Sequence, residues 1–224
     1  MKESAMKNMC AIIALLILTA IPAIAGGSRE QSQPESESLG PVSASIEYIE
    51  GSVWLNGEIA DYGDKVVSGD KVETGDAGVC DIVFENGNIV SLAENTLLLA
   101  DWDKAQLTLE SGTASMVLGN LNRFVSDTQE FSIRTSSTIA GVRGTTIFAK
   151  WENPESYYFC LCNGKVHIQT ENQEIDLEAT HHKAFRVIQN EEGIRLEDAE
   201  MLYHTDDDME HVADKIDYTI PWKN

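Results

Sequence analysis

The sequence predicts an all-β protein, a short-strand β-roll, solenoid-like wrap or sandwich, followed by an acidic C-terminal extension. Three observations predict it. Apolar and polar residues alternate in short runs such as Phe131-Ser132-Ile133-Arg134, the period of a strand with one buried face. Gly51, Gly57, Gly63, Gly69 and Gly75 recur at a fixed interval, which places a corner at the end of each short strand. No convincing helical pattern occurs before residue 195.

At 224 residues the chain can hold one sizeable domain with appendages. Its formal net charge of -21 is spread along the length without a basic cluster. Phosphate binding needs concentrated Lys and Arg, so a nucleic-acid partner is excluded and an anionic membrane surface disfavoured. Residues 1–25 read as a signal peptide. Lys2 and Lys7 precede an apolar run from Cys10 to Ile24, and Ala23-Ile24-Ala25 has the small-x-small cleavage pattern. The run is short for a membrane span and contains Pro22, so cleavage is expected, and Cys10 leaves with the leader. The mature protein is therefore expected in the periplasm or outside the cell, without a stable span. Residues 26–44, rich in Gly, Ser, Glu and Pro, read as a flexible linker.

Residues 45–190 read as the β domain. Asn56-Gly57 signals a hairpin, as does Glu85-Asn86-Gly87-Asn88 between Val79–Phe84 and Ile89–Leu92. Asp64, Asp70 and Asp76 follow glycines. Such steps either close turns onto their own backbone or ligate calcium, and turns are favoured because each corner lacks a second ligand pair. Strands at Thr96–Ala100 and Ala105–Leu109 flank a turn at Trp102, and Gly112–Leu118 leads into a turn at Gly119–Asn122. Phe131 to Phe148 reads as strand, tight Gly141-Val142-Arg143-Gly144 bend, strand, extended by Ala149 to Trp151. Tyr157–Cys162, Val166–Gln169, Ile175–Leu177 and Ala184–Val187 complete the domain, with Asn163-Gly164 as a further tight turn. Residues 191–224 form the acidic extension. Between Glu197 and Lys215, apolar residues fall near helical spacing, which fits one or two surface helices or a disordered tail. Tyr218 to Trp222 is an apolar cluster suited to docking on the β domain.

Ile133-Arg134-Thr135-Ser136-Ser137, then Ile139-Ala140-Gly141-Val142-Arg143-Gly144-Thr145, resembles the signature of the FecR domain. Gly51-Ser52-Val53, the Gly69–Gly75 run and Leu109-Glu110-Ser111-Gly112 agree with that family in order and spacing. The resemblance implies an extracytoplasmic all-β module that relays a signal. The family's transmembrane regulators carry a cytosolic segment ahead of one span, whereas Cys10 opens the apolar run here. The anti-sigma role is therefore not carried over, and the exported sensing or binding module is what remains.

Cys80, Cys160 and Cys162 survive leader removal. Cys160 and Cys162 are two apart on a predicted strand, so their thiols share a face, with His181 and His182 about a hairpin away and His167 nearby. Two thiolates with imidazoles suit zinc or copper. An oxidising compartment favours instead a disulfide from Cys80 to Cys160 or Cys162, with one thiol left over, or the thiols have no role. Arg134 and Arg143 stand out on so acidic a chain. They pair with acids across the sheet, or present guanidinium groups to a partner's carboxylates. No Gly-x-Ser-x-Gly elbow, His-Glu-x-x-His helix or phosphate loop is present, so an enzyme is not expected. The expected function is a binding or sensing module for an envelope protein, glycan or peptide. The alternatives are a metal-binding or redox protein using Cys160, Cys162, His181 and His182, and a structural β module of a surface assembly.

Overall fold

Short alternating runs between glycine corners make the chain reverse every few residues, and each reversal lays a strand beside an earlier one. A computed structural model describes residues 43–121, 131–170, 173–190 and 193–222. The leader, most of the linker and Asn122 of the predicted turn lie outside the described residues. The first strands are β1 (Ala44–Glu50), β2 (Val53–Leu55), β3 (Glu58–Ile59), β4 (Lys65–Val66) and β5 (Lys71–Thr74). β6 (Val79–Phe84), β7 (Asn88–Leu92), β8 (Leu97–Asp101), β9 (Gln106–Ser111) and β10 (Thr113–Leu118) follow. Then come β11 (Phe131–Arg134), β12 (Ile139–Asn153), β13 (Ser156–Gln169), β14 (Glu174–Ala179), β15 (Lys183–Asn190) and β16 (Gly193–Ala199). Helix α1 (Asp206–Asp214) closes the order.

The sixteen strands join in one curled sheet, so the all-β expectation holds as a coiled sheet. Its path runs β3-β2-β5-β8-β9-β11-β12-β10-β7-β6-β1-β4, with β13 pairing β12, β14 and β15, and β16 pairing β15. The β9–β11 pair is parallel. Asn56 (φ 55) and Gly57 (φ 85) make the two-residue turn between β2 and β3, both left-handed as that hairpin requires. The Asp64 and Asp70 carboxylates accept backbone N–H bonds from Asp61 (2.8 Å) and Val67 (2.7 Å), the turn-closing role.

β12 and β13 are each one strand where the sequence suggested a strand, a turn and another strand. They pair antiparallel along nearly their whole length, with the register shifting between Arg143 and Ile147. Gly144 (φ 59) and Gly164 (φ 110) bend the strands there instead of reversing them. The predicted turns fail for a physical reason: each strand has its partner on both sides of the glycine, so the chain is held extended. Both strands change their other neighbour at the bend. β12 pairs β11 through Ile139–Val142 and β10 through Thr145–Lys150. β13 pairs β15 through Ser156–Leu161 and β14 through Gly164–Gln169.

Side chains divide by alternation. Tyr157, Phe159 and Leu161 join the main core, while Tyr158, Cys160 and Cys162 join a second cluster on the opposite face. That face is covered by the C-terminal segment, whose Met209, Val212, Ala213 and Ile220 are buried against Ile89, Val117, Phe148 and Tyr158. The predicted helix over Glu197–Lys215 is shorter than the apolar spacing suggested. Glu197 to Ala199 lie in β16, and the helix starts only where Thr205 and Asp208 form a capping box. An ion pair from Lys215 and a hydrogen bond from Tyr203 help to fasten the segment. Lys215 reaches the buried Asp81 (2.7 Å), and Glu152 accepts two bonds from Arg186 (2.6 and 2.8 Å) and one from the Tyr203 hydroxyl (2.7 Å).

Gly164 cannot be replaced without cost. An added Cβ would lie 2.5 Å from the Gly144 carbonyl oxygen, on a backbone already at φ 110. Gly164→Ala is expected to lower unfolding free energy by about 2–4 kcal/mol, measured by urea denaturation. Glu152 sets a pH dependence. Its bonds from Arg186, against the opposing effect of burial and with help from Tyr203 and Ser156, hold its carboxyl at about 2. A depressed carboxyl gives its full stabilisation above the ordinary value of 4.5 and loses it as pH falls toward about 2. The stability difference between wild type and Glu152→Gln should shrink across that acid window, and a constant difference would remove Glu152 from this role.

Candidate functional site

Period-two alternation brings Cys160 and Cys162 to the outer face of β13, both fully buried beneath the C-terminal segment. His182 stands in the tight connection between β14 and β15, at φ 37, where its backbone N–H donates to the Cys162 carbonyl (3.0 Å). That turn points its ring at the sulfurs, with Nδ1 3.4 Å from Cys160 Sγ. His204 lies just ahead of the Thr205 cap of α1. Its Nε2 is 3.3 Å from Cys162 Sγ, and its ring stacks on Phe148 at 4.3 Å. The ligand-capable atoms of Cys160, Cys162, His182 and His204 all lie within 4.8 Å of one another.

A carboxylate stands behind the rings. Asp206, the first helical residue, meets His182 Nε2 at 2.6 Å and His181 Nε2 at 2.9 Å. Burial alone would raise its pKa, yet the bonds from His182 and His181 hold it below the usual carboxylate range. Trp222 stacks on His182 at 5.3 Å and closes the outer side. The sulfurs behave oppositely. Hydrogen bonding from Cys162 lowers the Cys160 thiol first, against burial, with His204 and His182 adding to it. Burial, reinforced by the Cys160 sulfur, raises Cys162.

Among the sequence-predicted site residues, Cys160, Cys162 and His182 come together. His181 does not join them: it is exposed and belongs with His182 and Asp206 in a separate cluster. His167 pairs with Asp176 on the open side of the sheet. All three described cysteines are free thiols. The Cys80 disulfide is ruled out by alternation, because Cys80 is in the main core, its thiol pushed up to about 12 by burial, and the other two are on the opposite face. Arg134 and Arg143 are exposed, and neither forms an ion pair among the described residues, which corrects the expectation of acid partners across the sheet.

His204 and Asp206 were missed. They lie in the acidic extension, 42 residues beyond Cys162 in the case of His204, and only the docking of α1 brings them in. The available signal was a histidine immediately before a Thr-x-x-Asp helix cap. Cys160, His182 and Asp206 stand in the order nucleophile, base, orienting acid. Cys160 is 0% exposed, however, so its sulfur is closed off from solvent in this arrangement.

Residues 70–167 match the FecR protein family. A comparison with curated proteins returns no match. Two crystal structures, at 1.65 and 2.50 Å, of a candidate anti-sigma factor from Parabacteroides distasonis ATCC 8503 are similar, with TM-scores of 0.47 and 0.46 and 15% identity. Each alignment covers 58% of this chain and 60% of that chain. The family match includes Arg134, Arg143, Cys160 and Cys162, and it ends before His182, His204 and Asp206. The likeness to the FecR family thus lies in residues 70–167, a little under half of the chain.

Proposed function

We propose that the chain is an exported FecR-type module that senses an envelope protein or peptide by binding an acidic segment of it on the open sheet face. The FecR domain supports a sensing and signalling role. The observation that carries the finer reading is the placement of Arg134 and Arg143. Arg134 faces Ile139 in the register of the β11–β12 hairpin, and Arg143 follows on the same face of β12, so the two lie about 13 Å apart. Both are exposed and, among the described residues, without an acid partner. Lys165 stands opposite Arg143 on β13 and is paired with Glu178 (3.1 Å). α1 packs on β7 and β10 and leaves this face open.

Guanidinium groups select carboxylates through paired N–H donors, and an acidic chain that leaves two of them uncommitted offers them to a ligand. An acidic glycan presents the same carboxylates and is distinguished by the chemistry of what is recovered. A second reading, metal binding, is favoured by the Cys–His cluster and is independent of this face.

Capture from envelope extract tests the proposal. Wild type is expected to retain one dominant acidic partner, and Arg134→Glu with Arg143→Glu to weaken it by at least tenfold, about 1.4 kcal/mol. Thermal stability should not change, since both side chains are exposed. Equal retention by the charge-reversed variant would sink this face as the site. The absence of any partner would favour a structural module.

A further inference from the structure

We infer that Cys160, Cys162, His182 and His204 form a zinc site that ties the C-terminal segment to the sheet. The inference does not depend on the arginine face. The donor set is the first argument, since two thiols and two imidazoles are the ligands of a closed structural zinc site. Spacing is the second. With Zn–S near 2.3 Å and Zn–N near 2.0–2.1 Å, a tetrahedron places sulfur and nitrogen roughly 3.5 Å apart. The Cys160–His182 and Cys162–His204 distances are 3.4 and 3.3 Å.

The third argument is the state of the two rings. His182 Nε2 donates to the Asp206 carboxylate (2.6 Å), so its Nδ1 lone pair faces Cys160. His204 Nδ1 donates to the Leu202 carbonyl (2.9 Å), so its Nε2 lone pair faces Cys162. Each imidazole thus turns its bare nitrogen inward and has its other nitrogen held from behind, the arrangement that orients metal-bound histidine. Nothing comparable aims His181 at the sulfurs.

The competing fate of the cysteines is poorly served. Two residues apart on one extended strand, their Cα atoms stand about 6.6 Å from each other, at the far end of disulfide geometry. As zinc binds, each Cys–zinc bond forms from a thiolate. Each thiol proton leaves to solvent as its sulfur bonds zinc. A groove of about 650 Å³, lined by Phe148, Lys150, Trp151, Tyr203 and His204 among others, opens beside the His204 ligand. Four protein ligands leave no open position for water, so the site is structural and not catalytic.

The test uses the reduced full chain, loaded with zinc, desalted and analysed for metal, together with its cobalt(II) form. One zinc per chain is expected. The cobalt form should show the intense visible bands of a tetrahedral ion and thiolate-to-metal charge transfer. Cys160→Ser and His204→Ala should lose stoichiometric metal, and Asp206→Asn should weaken binding by about 10–100-fold. His181→Ala and Cys80→Ser should bind as wild type does. Four results would overturn the assignment: substoichiometric zinc, copper held in its place, an octahedral cobalt spectrum, or a His181→Ala loss matching that of His204→Ala. The wild-type cobalt spectrum decides the matter even if a variant fails to fold.

Discussion

The long antiparallel pairing of β12 with β13 is the constraint on which the rest of the structure depends. Each strand serves two neighbours in succession, and the change of neighbour happens at the Gly144 and Gly164 bend. Gly164 sits so close to Gly144 that only hydrogen fits between the two backbones. The bend lets one sheet curl around the main core while staying hydrogen-bonded throughout. It also separates two regions of the pair: Cys160 and Cys162 lie on one side of the bend, and the exposed face with Arg134 and Arg143 on the other.

This division gives the sheet two different outer surfaces. One is apolar and sealed by the C-terminal segment, through Met209 and Ile220 from above and the Lys215–Asp81 pair and Tyr203–Glu152 bond at the margins. The other is polar and uncovered, with charged residues from β11 to β14 in register across it. In the sealed region water is scarce, so each polar contact counts for more than it would at the surface. There a histidine fixed by a carboxylate and a sulfur fixed by a histidine become a single unit.

Much of the fold was legible because it is local. Alternation marked Phe131–Arg134, and Asn56-Gly57 and Gly87 marked hairpins that the structure contains. What misled was glycine inside long strands. Gly-Val-Arg-Gly and Asn-Gly have the composition of turns, and only partners contributed from distant sequence keep those segments extended. The candidate site was half legible for the same reason. Cys160, Cys162 and His182 are set by strand period and one short connection, whereas His204 and Asp206 arrive with a helix whose docking no local pattern encodes. His181 was drawn in by adjacency to His182, but neighbours at a turn point different ways.

From Ser156 to Asn163 every residue of β13 is buried, so this run has no side that tolerates water. It is uncharged, aromatic and strong in β-propensity, the composition of segments that associate with one another when left bare. The main core covers alternate residues early, but Tyr158, Cys160 and Cys162 wait for Met209 to Ile220. A chain made from its N-terminus delivers those residues well after β13. This later stretch is thus an internal chaperone for a strand finished some fifty residues earlier, and the hazard of misassembly lies in that interval.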